Sequence, residues 1–174
     1  MEIIEKLIAA NRKYIEKGGD LRRKTAKNGQ HPYAIVICCS DSRVIPEKIF
    51  GADIGELFVI RVAGNVLDNH QLGSIEYAVS HLHCPLVIML GHTGCGAVSA
   101  ALSGHSEGFI SSITDEIAAA VGGERDPDKA CRLNVIRGVD LIKREFSAYP
   151  EFAKVDVCGA VYDIESGAVE WLGQ

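Results

Sequence analysis

The sequence lacks a basic excess. It carries 18 Lys and Arg against 23 Asp and Glu, a net charge of −5 and a pI near 5.7. Nucleic-acid binding is therefore not expected, since it calls for a positive footprint. No apolar run approaches the ~18 residues of a membrane span, so no membrane partner is expected either. The opening Met1-Glu2-Ile3-Ile4-Glu5-Lys6 has no basic segment followed by an apolar one. No secretory signal is expected, and the expected location is cytoplasmic. Internal repeats, low-complexity tracts and linkers are also lacking. With 174 residues, 47% of them hydrophobic, the chain reads as one domain over 1–174 with a sizeable core.

Cysteine is not scarce. Cys38, Cys39, Cys84, Cys95, Cys131 and Cys158 number six. In a reducing compartment metal binding or catalysis explains such thiols better than bridging does, and free cysteine is also a common core residue. Two of the six are expected to be functional and four to pack.

Periodicity predicts a helix over residues 1–18, with Ile3, Ile4, Leu7, Ile8, Tyr14 and Ile15 on one face and Gly18-Gly19 ending it. Short apolar runs at Tyr33–Cys38, Leu57–Val62 and Leu86–Leu90 read as buried strands. Val155–Asp163 reads as a fourth strand, with Ala168–Leu172 returning as a hairpin. Helical spacing covers 71–82, 95–102 and 110–121. Asp126-Pro127 caps a long helix to about Phe146. Gly91 and Gly94 are read as turn residues. Strands alternating with helices predict an α/β fold: a mostly parallel sheet flanked by helices, with a C-terminal strand hairpin at its edge.

Two segments carry chemistry. Cys39-Ser40-Asp41-Ser42-Arg43 follows the first strand, and His92-Thr93-Gly94-Cys95 follows the third. The carboxyl edge of a parallel sheet is where open α/β folds bind ligands. Two thiolates and an imidazole suit tetrahedral Zn²⁺, and three protein ligands leave a fourth position free. An H-x-x-C pair also arises by chance, so spacing alone leaves a second reading, with Cys39 and Cys95 as small buried residues and His92 as a satisfied turn histidine. Asp41 and Arg43 beside Cys39 tip the balance toward chemistry. Adjacent strand residues face opposite ways, which gives Cys39 to the metal and Cys38 to the core. Cys84, Cys131 and Cys158 are read as packing residues, and His31, His70, His81, His83 and His105 as surface.

The segments Cys39–Val44 (CSDSRV), Gly55–Val66 (GELFVIRVAGNV), Gly73–Val79 (GSIEYAV), Gly91–Ala97 (GHTGCGA) and Gly159–Ile164 (GAVYDI) occur in that order. In this combination the chain resembles a β-class carbonic anhydrase over about residues 20–172. The resemblance implies that Cys39, His92 and Cys95 bind Zn²⁺ and that Asp41 and Arg43 form the catalytic dyad. It implies that Gln30, Phe58 and Tyr77 line the substrate pocket, some of them across a dimer interface, with Ala63 and Gly96 as small neighbours. The implied reaction is reversible hydration of carbon dioxide to bicarbonate and a proton, by attack of zinc-bound hydroxide. A homodimer or homotetramer is implied, with the N-terminal helix packing on a partner chain.

Hydrolysis of carbonyl sulfide or carbon disulfide on the same site is the alternative activity. A silent zinc-binding protein of the same fold is the alternative without turnover. A metal site with two thiolates is formally neutral, so activity is expected to favour alkaline pH. Some relatives carry a second bicarbonate pocket with a tryptophan three residues before the first cysteine ligand. Val36 stands there, and the sole tryptophan is Trp171. Arg61 alone does not make that pocket, and none is expected.

Overall fold

The computed structural model describes residues 1–173, which part into two compact units, Met1–Gln30 and the chain from His31 onward. The first unit holds α1 (Glu2–Glu16) and α2 (Asp20–Asn28). Glu2 and Glu5 in the first turn of α1 and Lys13 in its last complement the helix dipole. None of its residues is buried; Ile3 is 75% exposed and Leu7 63%. The sequence expectation stopped at residue 18 and missed α2, whose DLRRKTAKN has no apolar period to read. Arg22 ties it back: its guanidinium donates to the carbonyls of Tyr14 and Ile15, each at 2.9 Å, and lies 4.3 Å above the Tyr14 ring.

The second unit is built on five strands: β1 (Ala34–Cys38), β2 (Leu57–Arg61), β3 (Leu86–His92), β4 (Asp156–Tyr162) and β5 (Val169–Leu172). Their order is β2-β1-β3-β4-β5, the first four parallel and β5 antiparallel to β4, as expected from the alternation of elements. The connections contain the single turn α3 (Pro46–Ile49), then α4 (Asn69–Leu82), α5 (Gly96–Leu102), α6 (Ser111–Val121) and α7 (Pro127–Glu145). Asp68 and Gln71 form a reciprocal capping box at the start of α4. Asp126 accepts from the N–H groups of Asp128 and Lys129 ahead of Pro127, so α7 starts where the sequence placed it.

Alternation along the strands divides the core. Ile35, Ile37, Val87, Met89 and Val161 face α4 and α7, through Ile75, Val79, Val135 and Ile142. Ala34, Val36, Cys38, Ile88, Leu90 and Ala160 lie on the opposite face with Val44, Ile49 and Val169. Burial on both faces is why the parallel strands read as unbroken apolar runs. Cys38 therefore is a core thiol, and burial pushes it up to about 12.

β3 runs two residues beyond the expected Leu90. Gly91 lies inside it, paired with Val161, while Gly94 makes the turn at φ +64°. Gly91 serves close packing: a Cβ there would lie 2.6 Å from Val135 Cγ2 and 3.1 Å from Cys131 Sγ on α7. His92 consequently ends a strand rather than lying on a loop. Among the described residues no helix is long and apolar enough to cross a membrane.

Candidate metal centre

Three elements deliver the site to the carboxyl edge of the sheet. β1 ends at Cys38 and hands over Cys39; β3 ends at His92; Cys95 caps α5. The ligand atoms of Cys39, His92 and Cys95 all lie within 4.8 Å of one another, and all three residues are buried. Around them pack Val98, Ile117, Val121 and Ala130.

His92 is 0% exposed, and its Nε2 has no hydrogen-bond partner among the described residues. A buried, unpaired ring nitrogen carries a desolvation cost that a metal ion would remove. Nδ1 lies 2.9 Å from the Thr93 carbonyl, which fixes the proton there and leaves a lone pair on Nε2. Thr93 is itself held. Its N–H donates to the Tyr162 carbonyl at 3.0 Å, and its hydroxyl accepts from the Ile164 N–H at 3.1 Å.

Cys39 Sγ accepts backbone N–H groups from Asp41 at 3.4 Å and Gly64 at 3.3 Å. The Cys95 thiol beside it, the neighbouring His92 ring and these two amides pull its thiol well below the ordinary cysteine range, against burial. Cys95 moves the opposite way: its bond to Cys39 and its burial push it up, opposed by the first amides of α5 at Val98 and Ala97. Two thiols this close hold one proton between them, and a divalent cation displaces it. A donor set of two sulfurs and one imidazole nitrogen fits Zn²⁺ with one position to spare.

Asp41 lies beside this cluster in the grip of Arg43. The Arg43 Nε and backbone N–H donate to Oδ1 at 3.0 and 2.9 Å, and Nη2 donates to Oδ2 at 2.8 Å. These bonds hold the Asp41 carboxyl well below the usual carboxylate range.

The pocket residues divide. Ala63 opens the 3-10 turn Ala63–Asn65, next to the Gly64 that touches Cys39, and Gly96 follows Cys95. Phe58 and Tyr77 do not lie on the loops that carry the cluster. Phe58 is in register with Ile35, four residues before Cys39, and its ring packs on Tyr77 with centroids 6.2 Å apart. Gln30 ends the first unit.

Sequence reasoning missed two groups. Arg61, paired with Cys38 across β1 and β2, donates from Nη2 to the Asp41 carbonyl at 2.7 Å and from Nε to the Cys39 carbonyl at 3.3 Å. The parallel register that brings it there leaves no local mark in the sequence. Cys131, read as packing, is buried as expected, but its Sγ also donates to the His92 carbonyl at 3.1 Å. The five remaining histidines are exposed, as read.

Fold and site together define an α/β protein with a buried Cys₂His cluster, able to hold a metal ion, at the carboxyl edge of a parallel sheet. The family model for carbonic anhydrase matches residues 34–169. The chain is 35% identical to carbonic anhydrase 2 of Mycobacterium tuberculosis over 94% of this chain and 84% of that protein. It superimposes on a β-carbonic anhydrase of the fungus Aspergillus fumigatus with a TM-score of 0.87 and 28% identity, covering 97% of this chain and 90% of that one. A tetrameric β-carbonic anhydrase from Sordaria macrospora gives 0.86 at 25% identity, covering 100% and 98%. The chain belongs to the β-class carbonic anhydrase family of zinc enzymes.

Proposed function

We propose that this protein catalyses the reversible hydration of carbon dioxide to bicarbonate and a proton, with Zn²⁺ held by Cys39, His92 and Cys95. The observation that carries the reading is the buried three-donor cluster with an ionised Asp41 pinned beside it. Held there, Zn²⁺ supplies the Lewis acidity that makes a water molecule nucleophilic at accessible pH.

The chain's own groups do the rest. His92 offers Nε2 because Thr93 holds Nδ1. Cys39 offers a thiolate favoured by neighbouring amides, and Cys95 would give up its proton on binding the cation. Asp41 is the catalytic carboxylate. Its oxygens keep lone pairs beyond those Arg43 fills, so it can accept a hydrogen bond from the attacking water and orient it. Arg43 is a positioning residue: its fork keeps Asp41 from swinging into the open coordination position. Ala63 and Gly96 leave room for a small substrate. We further propose that Gln30, Phe58 and Tyr77 complete an apolar pocket between chains, which suits a substrate with no charge and no permanent dipole.

The exposed apolar face of α1 and the tetrameric Sordaria relative support a homodimer or homotetramer. Six free thiols suit a reducing compartment, and a cytoplasmic setting is part of this proposal.

The test combines metal analysis with stopped-flow CO₂ hydration. The parent should hold about one zinc per chain. Cys39→Ser, His92→Ala and Cys95→Ser should lose most of it together with activity, and Cys38→Ser should keep both. Full zinc in Cys39→Ser sinks the ligand assignment. Release of hydrogen sulfide from carbonyl sulfide without CO₂ hydration moves the reading to the hydrolase.

A further inference from the structure

We propose that Asn134 is a positioning residue of the metal centre, aiming the Gly64 backbone N–H at the sulfur of Cys39. This rests on the reading of Cys39 as a zinc ligand. Asn134 lies on α7, seventy residues from Gly64 in sequence, and is only 5% exposed. Its Nδ2 donates to the Gly64 carbonyl at 2.9 Å, and the Gly64 N–H donates to Cys39 Sγ at 3.3 Å. The chain of contact runs from α7 through one glycine to a metal ligand.

Gly64 cannot hold that geometry by itself. It sits at φ +67° and ψ 12°, where glycine meets no steric barrier against turning elsewhere. A side chain cannot lock it, because a Cβ would lie 2.7 Å from Ile117 Cδ1 and 3.0 Å from Ala97 Cβ. Asn134 supplies the missing constraint. It anchors the peptide after Gly64, and with Ile117 and Ala97 closing the cradle, the peptide before Gly64 keeps its N–H on the sulfur. Without the amide donor, the buried Gly64 carbonyl loses this partner and the glycine is freed to rotate toward another.

The same face of α7 holds the other half of the site. Cys131, three residues earlier on one helical face, donates to the His92 carbonyl at 3.1 Å. One rigid helix therefore grips both halves, the Gly64–Cys39 side and the His92 side. An N–H bonded to a thiolate withdraws charge from it, so a sulfur that keeps the bond donates less to the metal and leaves it a stronger Lewis acid. Asn134 acts on the reaction through this bond and touches no reacting atom.

The experiment is NMR of the holoenzyme with ¹¹³Cd²⁺ replacing zinc. It reads scalar coupling between the metal and any amide proton bonded to a ligating sulfur. Apart from amides at Cys95, the parent should show coupling at the two amides on Cys39 Sγ, Gly64 and Asp41. Asn134→Leu should lose the Gly64 coupling and keep that of Asp41. In its zinc form the pH dependence of kcat should move to higher pH, because the freed sulfur donates more to the metal. Asn134→Ala, which also lacks the amide donor, is the second variant and should behave alike, so a misfolded leucine variant does not decide the matter. Unchanged Gly64 coupling and an unchanged pH profile in a folded variant would overturn the role of Asn134. So would a parent that couples at Asp41 but not at Gly64. No coupling of the metal to the Cys39 β-protons in the parent would instead remove Cys39 from the ligand set, and this proposal with it.

Discussion

Arg43 reaches back two residues and takes both carboxylate oxygens of Asp41, at 3.0 and 2.8 Å, while its own backbone N–H adds a third bond at 2.9 Å. The Asp41 side chain is 18% exposed and that of Arg43 is 56%. As a surface ion pair this would contribute little to stability. Its importance is geometric, because Asp41 lies two residues from Cys39, and a free carboxylate at that distance competes for an open metal position.

Removing the fork should expose that competition. Arg43→Ala should keep its zinc and lose on the order of 10²-fold or more in kcat/KM, the scale of a lost positioning group. Arg43→Lys should recover part of it, since a point charge does not reproduce a planar fork. A crystal structure of Arg43→Ala should show the Asp41 carboxylate turned toward the metal. Parent-like CO₂ hydration by Arg43→Ala would remove the pair from the mechanism.

Arg61 carries a separate prediction. It holds the carbonyls of Cys39 and Asp41, so it fixes the backbone on which both side chains stand. Arg61→Ala should weaken zinc binding and activity together, by about 10- to 100-fold, as loss of an outer-shell partner does. Chelator competition reads the first and stopped-flow the second. If activity falls while zinc affinity stays at the parent value, Arg61 acts elsewhere.

These two arginines show what the sequence discloses. Arg43 lies two residues from Asp41, and a local pattern suffices to pair them. Arg61 lies twenty residues from Asp41 and meets it only because Ala34–Cys38 pairs with Leu57–Arg61 in parallel register. The cysteines divide in the same way. Strand alternation separates Cys38 from Cys39, and both placements follow from a period of two. Cys131 reads as an ordinary core thiol because its bond to the His92 carbonyl depends on how α7 lies across β3. Gly91 has the composition of a turn and the position of a strand residue; only the approach of Val135 shows why it is glycine. Phe58 and Tyr77 enter the proposed pocket only through family resemblance; within one chain their rings pack on each other.

That role for Gly91 is testable. Gly91→Ala places a methyl group 2.6 Å from Val135 and 3.1 Å from Cys131, both on the packed face of a long helix. Overpacking of this kind costs about 1–3 kcal/mol. Because residue 91 precedes His92, the shift should also loosen zinc. Thermal denaturation with and without chelator should show a lower Tm in both states and a smaller gap between them. A Tm equal to the parent's would mean that α7 has room to move.

The last prediction concerns assembly. α1 has no buried residue, although Ile3, Ile4, Leu7, Ile8 and Ile15 are all exposed at 49% or more. A fifteen-residue helix is marginal in water by itself, and most helices owe their stability to packing of an apolar face. A stripe of five aliphatic side chains is therefore poorly suited to solvent, and a second copy of the chain is the partner that every molecule in solution shares. The proposed pocket makes the same demand, since Phe58 and Tyr77 do not lie on the loops that carry Cys39, His92 and Cys95. If neighbouring chains complete the pocket, assembly and activity must fall together. Sedimentation at assay concentration should show a dimer or larger species. Ile4→Glu combined with Leu7→Glu should shift it toward monomer, and kcat/KM should drop in proportion to the monomer fraction while zinc content stays near one per chain. A monomer of the double variant with full activity would return the whole site to a single chain, and Gln30, Phe58 and Tyr77 would lose their proposed place in it.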